Sequence, residues 1–210
     1  MPNKRPKKKI RATPFLAASA VIWILILCAG QWALLSFENA PGTLANAPLK
    51  WPQASQIKHA SDRPTLLMFV HPNCPCTEAS VGEFGLIMAR LRNQVDAKIL
   101  FYEPNQFSEQ WMKTNLWYDA KAIPGVEVMK DQDGSEARLF QAFTSGQTLL
   151  YDSKGHLVFN GGITGSRGHS GDNAGRKAII SLVTEGKANR TNTFVFGCSL
   201  FSKMEGNQIR

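Results

Sequence analysis

Two cysteines separated by a single proline, Cys74-Pro75-Cys76, stand where the apolar run Leu66–Val70 gives way to residues with helical spacing. The reactive form of cysteine is the thiolate, as nucleophile and as soft metal ligand alike. Pro75 suits the first position of a helix, where its missing N–H has no intrahelical partner. Cys74 and Cys76 therefore fall at or just inside a helix N-terminus, whose unpaired N–H groups and aligned dipoles favour negative charge and lower a thiol pKa. A disulfide across this pair would close a very small ring, add little chain-entropy stabilisation and be strained, which suits a redox centre better than a structural staple. His71, three positions upstream, reads either as a group that tunes or ligates or as an exposed turn residue.

The elements that must position these residues alternate from Asp62 onward. Leu66–Val70 reads as a buried strand ending at Pro72-Asn73, and Val81, Phe84, Ile87, Met88 and Leu91 give the following helix, Pro75–Arg92, one buried face. Ala97–Tyr102 is a second apolar strand, so the unit implies a parallel pair with a right-handed crossover. The pattern then predicts a helix over Gln106–Ala122 broken by Pro124-Gly125, a strand at Val126–Met129 and a short helix at Glu136–Phe143. A hairpin of Gln147–Asp152 and His156–Phe159 turns at Ser153-Lys154-Gly155. A glycine-rich loop, Gly161–Gly171, leads to a last helix with Asp172 as N-cap and Gly186 as its stop.

The net charge of +8 is concentrated at the start of the chain. Lys4, Arg5, Lys7, Lys8, Lys9 and Arg11 account for six of these charges with no acid among them, which leaves +2 for the remainder and no basic stripe for nucleic acid. Residues 1–14 read as a basic cytoplasmic tail. Phe15–Phe37 carries no formal charge and is long enough to span a bilayer, and the positive-inside rule places the rest of the chain outside the cytoplasm. A cleaved signal peptide with Ala45-Asn46-Ala47 as its site is the alternative; the long apolar run favours the anchor. Cys28 reads as a membrane-buried apolar residue, since Leu27 precedes it where a lipoprotein site wants a small one. Residues 38–60, with three prolines and scattered apolar residues, read as a linker, and 61–210 as one domain with a C-terminal tail. The 43% hydrophobic content supplies one core of that size.

Strand, cysteine pair at a helix start, parallel strand, hairpin and closing helix together resemble the thioredoxin fold. The segment from Val126 to Thr164 is similar to the corresponding part of membrane-tethered thioredoxin-like proteins of the ResA/TlpA type, and the whole chain is similar to bacterial RedB proteins. The resemblance implies a central mixed sheet flanked by helices and a periplasmic thiol–disulfide oxidoreductase without cofactor. It also implies protein disulfides or thiols as substrates and an electron donor that the sequence does not identify. By the same resemblance Cys74, at the turn and the more exposed, is the attacking thiol and Cys76 the resolver. Two features depart from that family: one residue rather than two separates the cysteines, and Gln147 holds the place of a cis-proline before the hairpin.

In such a topology the Gly161–Gly171 loop overhangs the cysteines and brings Arg167 and His169 close, while His156 lies at the opposite sheet edge as a solvated turn residue and His59 belongs to the linker. Cys198 is the third external cysteine. The tail after the last helix is long enough to return to the cysteine edge. Its thiol reads first as an inert group packed by Phe194, Phe196 and Phe201, and second as a participant in exchange. A non-enzymatic alternative is a Cu(I)-binding or copper-delivery module with Cys74, Cys76 and His169 as ligands. A peroxiredoxin-like peroxidase finds only Cys76-Thr77-Glu78 in its favour, and covalent haem attachment lacks its Cys-x-x-Cys-His.

Overall fold

A computed structural model describes residues 14–201 of the chain, so the basic residues Lys4 to Arg11 lie outside the described part. The chain divides into two units between Glu38 and Asn39. The first contains α1, Pro14–Glu38, a 25-residue helix with no buried residue. At 1.5 Å per residue it exceeds the roughly 30 Å of a bilayer's hydrocarbon core. It is long and apolar enough to cross a membrane, a property that signal sequences share.

The second unit is built on a five-stranded sheet of order β3-β2-β1-β4-β5. Its strands are β1 (Thr65–Val70), β2 (Asp96–Glu103), β3 (Val126–Gln132), β4 (Gln147–Tyr151) and β5 (Leu157–Gly161). The first three run parallel; β4 is antiparallel to β1, and β5 to β4. Six helical segments are described in all: α1, α2 (Pro75–Arg90), α3 (Glu109–Met112), α4 (Asn115–Lys121), α5 (Ser135–Leu139) and α6 (Ala174–Glu185). β1 is central and buried at every position, as its continuous apolar run requires.

Alternation along the strands sorts the core into two layers. Leu66, Met68, Val70, Ile99, Phe101 and Leu150 face α2, α4 and α6. Leu67, Phe69, Leu100, Tyr102, Leu149 and Tyr151 face α5 together with two non-repetitive segments, residues 45–57 and the end of the tail at Leu200 and Phe201. Segment 39–60 is thus not a free linker. Ala45, Ala47 and Ile57 are buried, and Trp51 packs edge-on against Phe140 and Tyr151 at ring-centre distances of 5.0 and 5.1 Å. Its apolar residues are too scattered to show a period, but Ala45, Ala47, Trp51 and Ile57 meet distant partners, while Leu44 and Leu49 stay exposed.

Three elements differ from expectation for local reasons. The helix expected over residues 106–122 is split into α3 and α4 at Thr114, whose extended backbone (φ −83°, ψ 175°) makes it the N-cap of α4 and whose hydroxyl donates to the Pro72 carbonyl at 3.0 Å. The helix expected to reach Phe143 ends at Leu139, followed by Gln141 at a positive φ of 53°. Asn173, not Asp172, caps α6: its side-chain oxygen accepts from the Arg176 N–H at 2.8 Å, while exposed Asp172 pairs with Lys177 at 2.6 Å.

The register fixes which loops meet. β4 begins at the end of β1 that carries His71 to Cys76, with Gln147 opposite Phe69, and β5 ends there, with Gly161 opposite Thr148. The hairpin turn lies at the other end, where half-exposed His156 faces Asp152 at 3.3 Å. There His59 is engaged rather than loose, its Nε2 lying 2.7 Å from the Asp152 carbonyl. The glycine-rich loop is tied to α2 by Glu83, whose buried carboxylate accepts from the Gly171 N–H, the Asn173 amide and the Arg176 guanidinium.

Candidate thiol site

β1 drives the chain outward at Val70, and a turn closed by the Cys74 N–H on the His71 carbonyl (3.1 Å) reverses it into α2. Cys74 is the N-cap residue, with extended backbone (φ −92°, ψ 105°), and Pro75 is at the helix start. The sulfur of Cys74 consequently lies at the positive end of a 16-residue helix.

Three groups converge on that sulfur. The Cys198 N–H donates to Cys74 Sγ at 3.3 Å, and the Cys198 thiol and Thr77 beside it favour its anion. The Thr77 N–H donates to the Cys74 carbonyl at 3.1 Å, and its hydroxyl lies 2.7 Å from Ser145 Oγ, which in turn accepts from the His71 N–H at 2.8 Å. Burial pushes the Cys74 thiol up, but the hydrogen bonds from Cys198 and Thr77 outweigh it and the thiol lies below its ordinary value. Cys198 moves the other way. Burial, its hydrogen bond to Cys74 and the negative charge of Cys74 and Cys76 push it up to about 12, against the opposing charge of Arg167.

The tail reaches this place through a series of backbone bonds. The Cys198 carbonyl accepts from the Ser145 N–H at 2.8 Å, Leu200 donates to Phe143 at 2.9 Å, and Thr144 and Ser199 form an antiparallel bridge. Upstream, Val195 accepts from Gly42 at 2.8 Å. Arg167 clamps the segment, donating from Nη1 to the Gly197 carbonyl at 2.7 Å and from Nε to Ala40 at 3.1 Å. Gly197 passes so close to the Ser145 carbonyl that a Cβ there would collide with it.

Two expectations need correction. Cys74 is 2% exposed and Cys76 is half-buried, so the turn cysteine is the covered one. The cover is the returning tail. Cys198 is not enclosed by phenylalanines either: it is half-buried, Phe194 is 67% exposed, Phe201 packs edge-on against Tyr102 at 5.4 Å, and the Cys198 N–H meets the Cys74 sulfur.

Of the other predicted residues, Arg167 joins the site and Pro75 starts the helix. The glycine-rich loop does overhang that start, Gly168 and Ser170 sharing a cleft of about 580 Å³ with Pro75 and Glu78. His71 contributes its N–H; its ring packs against Trp111 (5.5 Å) and Tyr102 (6.1 Å), and its Nδ1 accepts from the Asn73 N–H at 3.2 Å. His169 is exposed, with Nδ1 2.8 Å from the Arg167 carbonyl. Among the described residues, no group of three or more His, Cys, Asp or Glu is arranged to hold a metal ion. Gln147 is buried and braces segment 39–60, donating to Asn160 at 2.5 Å and accepting from the Ala45 N–H at 3.3 Å. The described residues contain no cis peptide bond. Thr77, Ser145 and Gly197 were not singled out by sequence reasoning; the only signal was a threonine following the cysteines and a Ser-Gly pair before the hairpin. Cys74 borders a second cleft of about 460 Å³, lined also by Asn73, Pro75, Glu78, Thr114 and Leu116.

The architecture is the thioredoxin-like fold, with one N-terminal apolar helix added. No protein-family model and no curated protein matches the chain. Among solved structures it is similar to an uncharacterized conserved protein from Geobacillus kaustophilus, with a TM-score of 0.56 and 18% identity over 78% of this chain and 93% of that one. It is also similar to a hypothetical protein from Sinorhizobium meliloti 1021, with a TM-score of 0.50 and 19% identity over 78% and 96% of the two chains. A more distant match is the exposed lipoprotein thioredoxin of Streptococcus pneumoniae, with a TM-score of 0.45 and 18% identity over 60% and 86%.

Proposed function

We propose that the protein is a thiol–disulfide oxidoreductase tethered to the membrane by α1 and working outside the cytoplasm, as the basic N-terminal cluster and the likeness to ResA/TlpA-type and RedB proteins suggest. The observation that carries this reading is the Cys74 sulfur at the start of α2, surrounded by donors from Thr77 and Cys198 that favour its anion. A structural cysteine has no need of such an environment, whereas a nucleophilic one does.

In this reading the Cys74 thiolate attacks one sulfur of a protein disulfide. A mixed disulfide forms, the second sulfur of the partner leaves as a thiolate, and another cysteine of this chain then attacks Cys74 Sγ to release the partner. The same steps run backward oxidise a dithiol. The 460 Å³ cleft beside Pro75 and Thr114 gives a partner its approach to Cys74. The test is disulfide reduction by the full chain in detergent micelles, with insulin as substrate and dithiothreitol as reductant. Cys74→Ser is expected to bring turnover to background; undiminished turnover in that variant overturns the reading.

A further inference from the structure

We infer that the intramolecular disulfide of this protein joins Cys74 to Cys198, so that the cysteine on the returning tail, not its neighbour Cys76, resolves the mixed disulfide. The inference rests on the oxidoreductase reading above and specifies its second thiol.

Three observations point the same way. The Cys198 N–H donates to the Cys74 sulfur at 3.3 Å, which sets the two cysteines side by side across 124 positions of sequence. Cys74 and Cys76, by contrast, lie two positions apart at a helix start, a spacing at which side chains do not face each other. The contact is also built rather than incidental. Ser145 and Phe143 hold the tail on one side of Cys198, Arg167 holds it on the other, and Gly197 permits an approach to Ser145 that no residue with a Cβ would allow.

The electrostatics of the pair give the exchange an order. Of the two neighbouring sulfurs Cys74 ionises more readily, its thiol lowered while that of Cys198 is raised, so Cys74 is the first to attack. When Cys74 attacks a disulfide R–S–S–R′, the Cys74–S–S–R bond forms, the S–S bond of the partner breaks and R′–S⁻ leaves. Burial still raises the Cys198 thiol, but the contributions of the Cys74 anion are thereby gone, while Arg167 continues to favour a thiolate there. The Cys198 proton passes to R′–S⁻, and Cys198 attacks Cys74 Sγ. Cys74–S–S–Cys198 forms and R–S⁻ leaves. Two electrons have moved from the cysteine pair to the partner, and an external dithiol restores them by the reverse steps.

The experiment is to oxidise the reduced full chain in detergent with oxidised glutathione, trap free thiols, digest it and identify crosslinked peptides by mass spectrometry. A Cys74–Cys198 crosslink is expected in the wild type and in Cys76→Ser. Cys198→Ser is expected to accumulate glutathione on Cys74 and to lose at least tenfold in turnover. A Cys74–Cys76 crosslink as the sole product in the wild type, with Cys198→Ser retaining wild-type turnover, overturns the assignment. That result would leave the oxidoreductase reading standing, because the latter depends on Cys74→Ser alone.

Discussion

Two stretches without regular secondary structure dock on the same sheet, and they are held by opposite means. Residues 45–57 run toward the hairpin-turn end and are fastened by apolar burial: Ala45, Ala47 and Ile57 are enclosed, Trp51 fills a gap between Phe140 and Tyr151, and Ser55 and Gln56 bond to buried Glu136. Residues 195–200 dock at the cysteine end and are fastened mainly by directional bonds, to Gly42, Ser145, Phe143 and Arg167, with Val195 and Leu200 as buried anchors. Buried area holds a segment whatever its chemical state, whereas a hydrogen bond to a sulfur holds only while that sulfur has the right charge. The first segment completes the core, and the second sets the Cys198 N–H against the Cys74 sulfur.

This contrast breaks if stability and thiol chemistry respond alike at both places. The largest stability effect is expected from Trp51→Ala, about 2–3 kcal/mol, at or below the range for a fully buried aromatic because Trp51 is only partly buried. Denaturant titration checks it, and the rate of Cys74 alkylation at neutral pH should stay within a factor of about two, as expected of a change remote from the thiol. Gly197→Ala should show the reverse pattern. Its Cβ displaces the tail from the Ser145 carbonyl, so the yield of Cys74–Cys198 crosslink falls severalfold and Cys74 becomes more accessible to alkylation, while stability changes by about 1–2 kcal/mol. A Gly197→Ala protein that crosslinks like the wild type would mean that the tail finds Cys74 without this close approach.

Smaller shifts sharpen the account at the sulfur itself. Cys198→Ala removes a donor to the thiolate while keeping the backbone N–H, so the alkylation midpoint of Cys74 moves upward in pH. Thr77→Val removes another donor and moves it in the same direction. The sign for stability follows. A folded-state thiol pKa below the unfolded value contributes stability that is present above the unfolded pKa and is lost as pH falls through the folded one. Reduced wild-type protein should therefore gain more stability than Cys198→Ala as pH rises through the alkylation midpoint.

The strand and helix that carry the cysteines were legible because their signals are local: a continuous apolar run, a proline at a helix start and apolar residues at helical spacing. The hairpin and the glycine stop of α6 were legible for the same reason, and topology alone put Arg167 near the cysteines and His156 away from them. What stayed hidden depends on partners far apart in sequence. Thr77 and Ser145 meet across 68 positions, and neither residue type is distinctive. The length of the tail showed that Cys198 can return to the cysteine edge, but spacing does not say where a flexible tail docks. Segment 39–60 looked like a tether because residues such as Trp51 find their apolar partners in α5 and β4. The split between α3 and α4 falls at Thr114, whose extended backbone and bond to the Pro72 carbonyl depend on a partner 42 positions away.

The central claim is that the fold favours the thiolate of Cys74, lowering its pKa below the ordinary value. Its most direct test is the pH dependence of Cys74 alkylation by iodoacetamide in the reduced full chain, followed peptide by peptide so that Cys76 and Cys198 are read separately. The account predicts a midpoint for Cys74 below the roughly 8.5 of a free cysteine, with Cys198 remaining unreactive across the same range. A Cys74 midpoint at or above that value, or a Cys198 that reacts first, would contradict it.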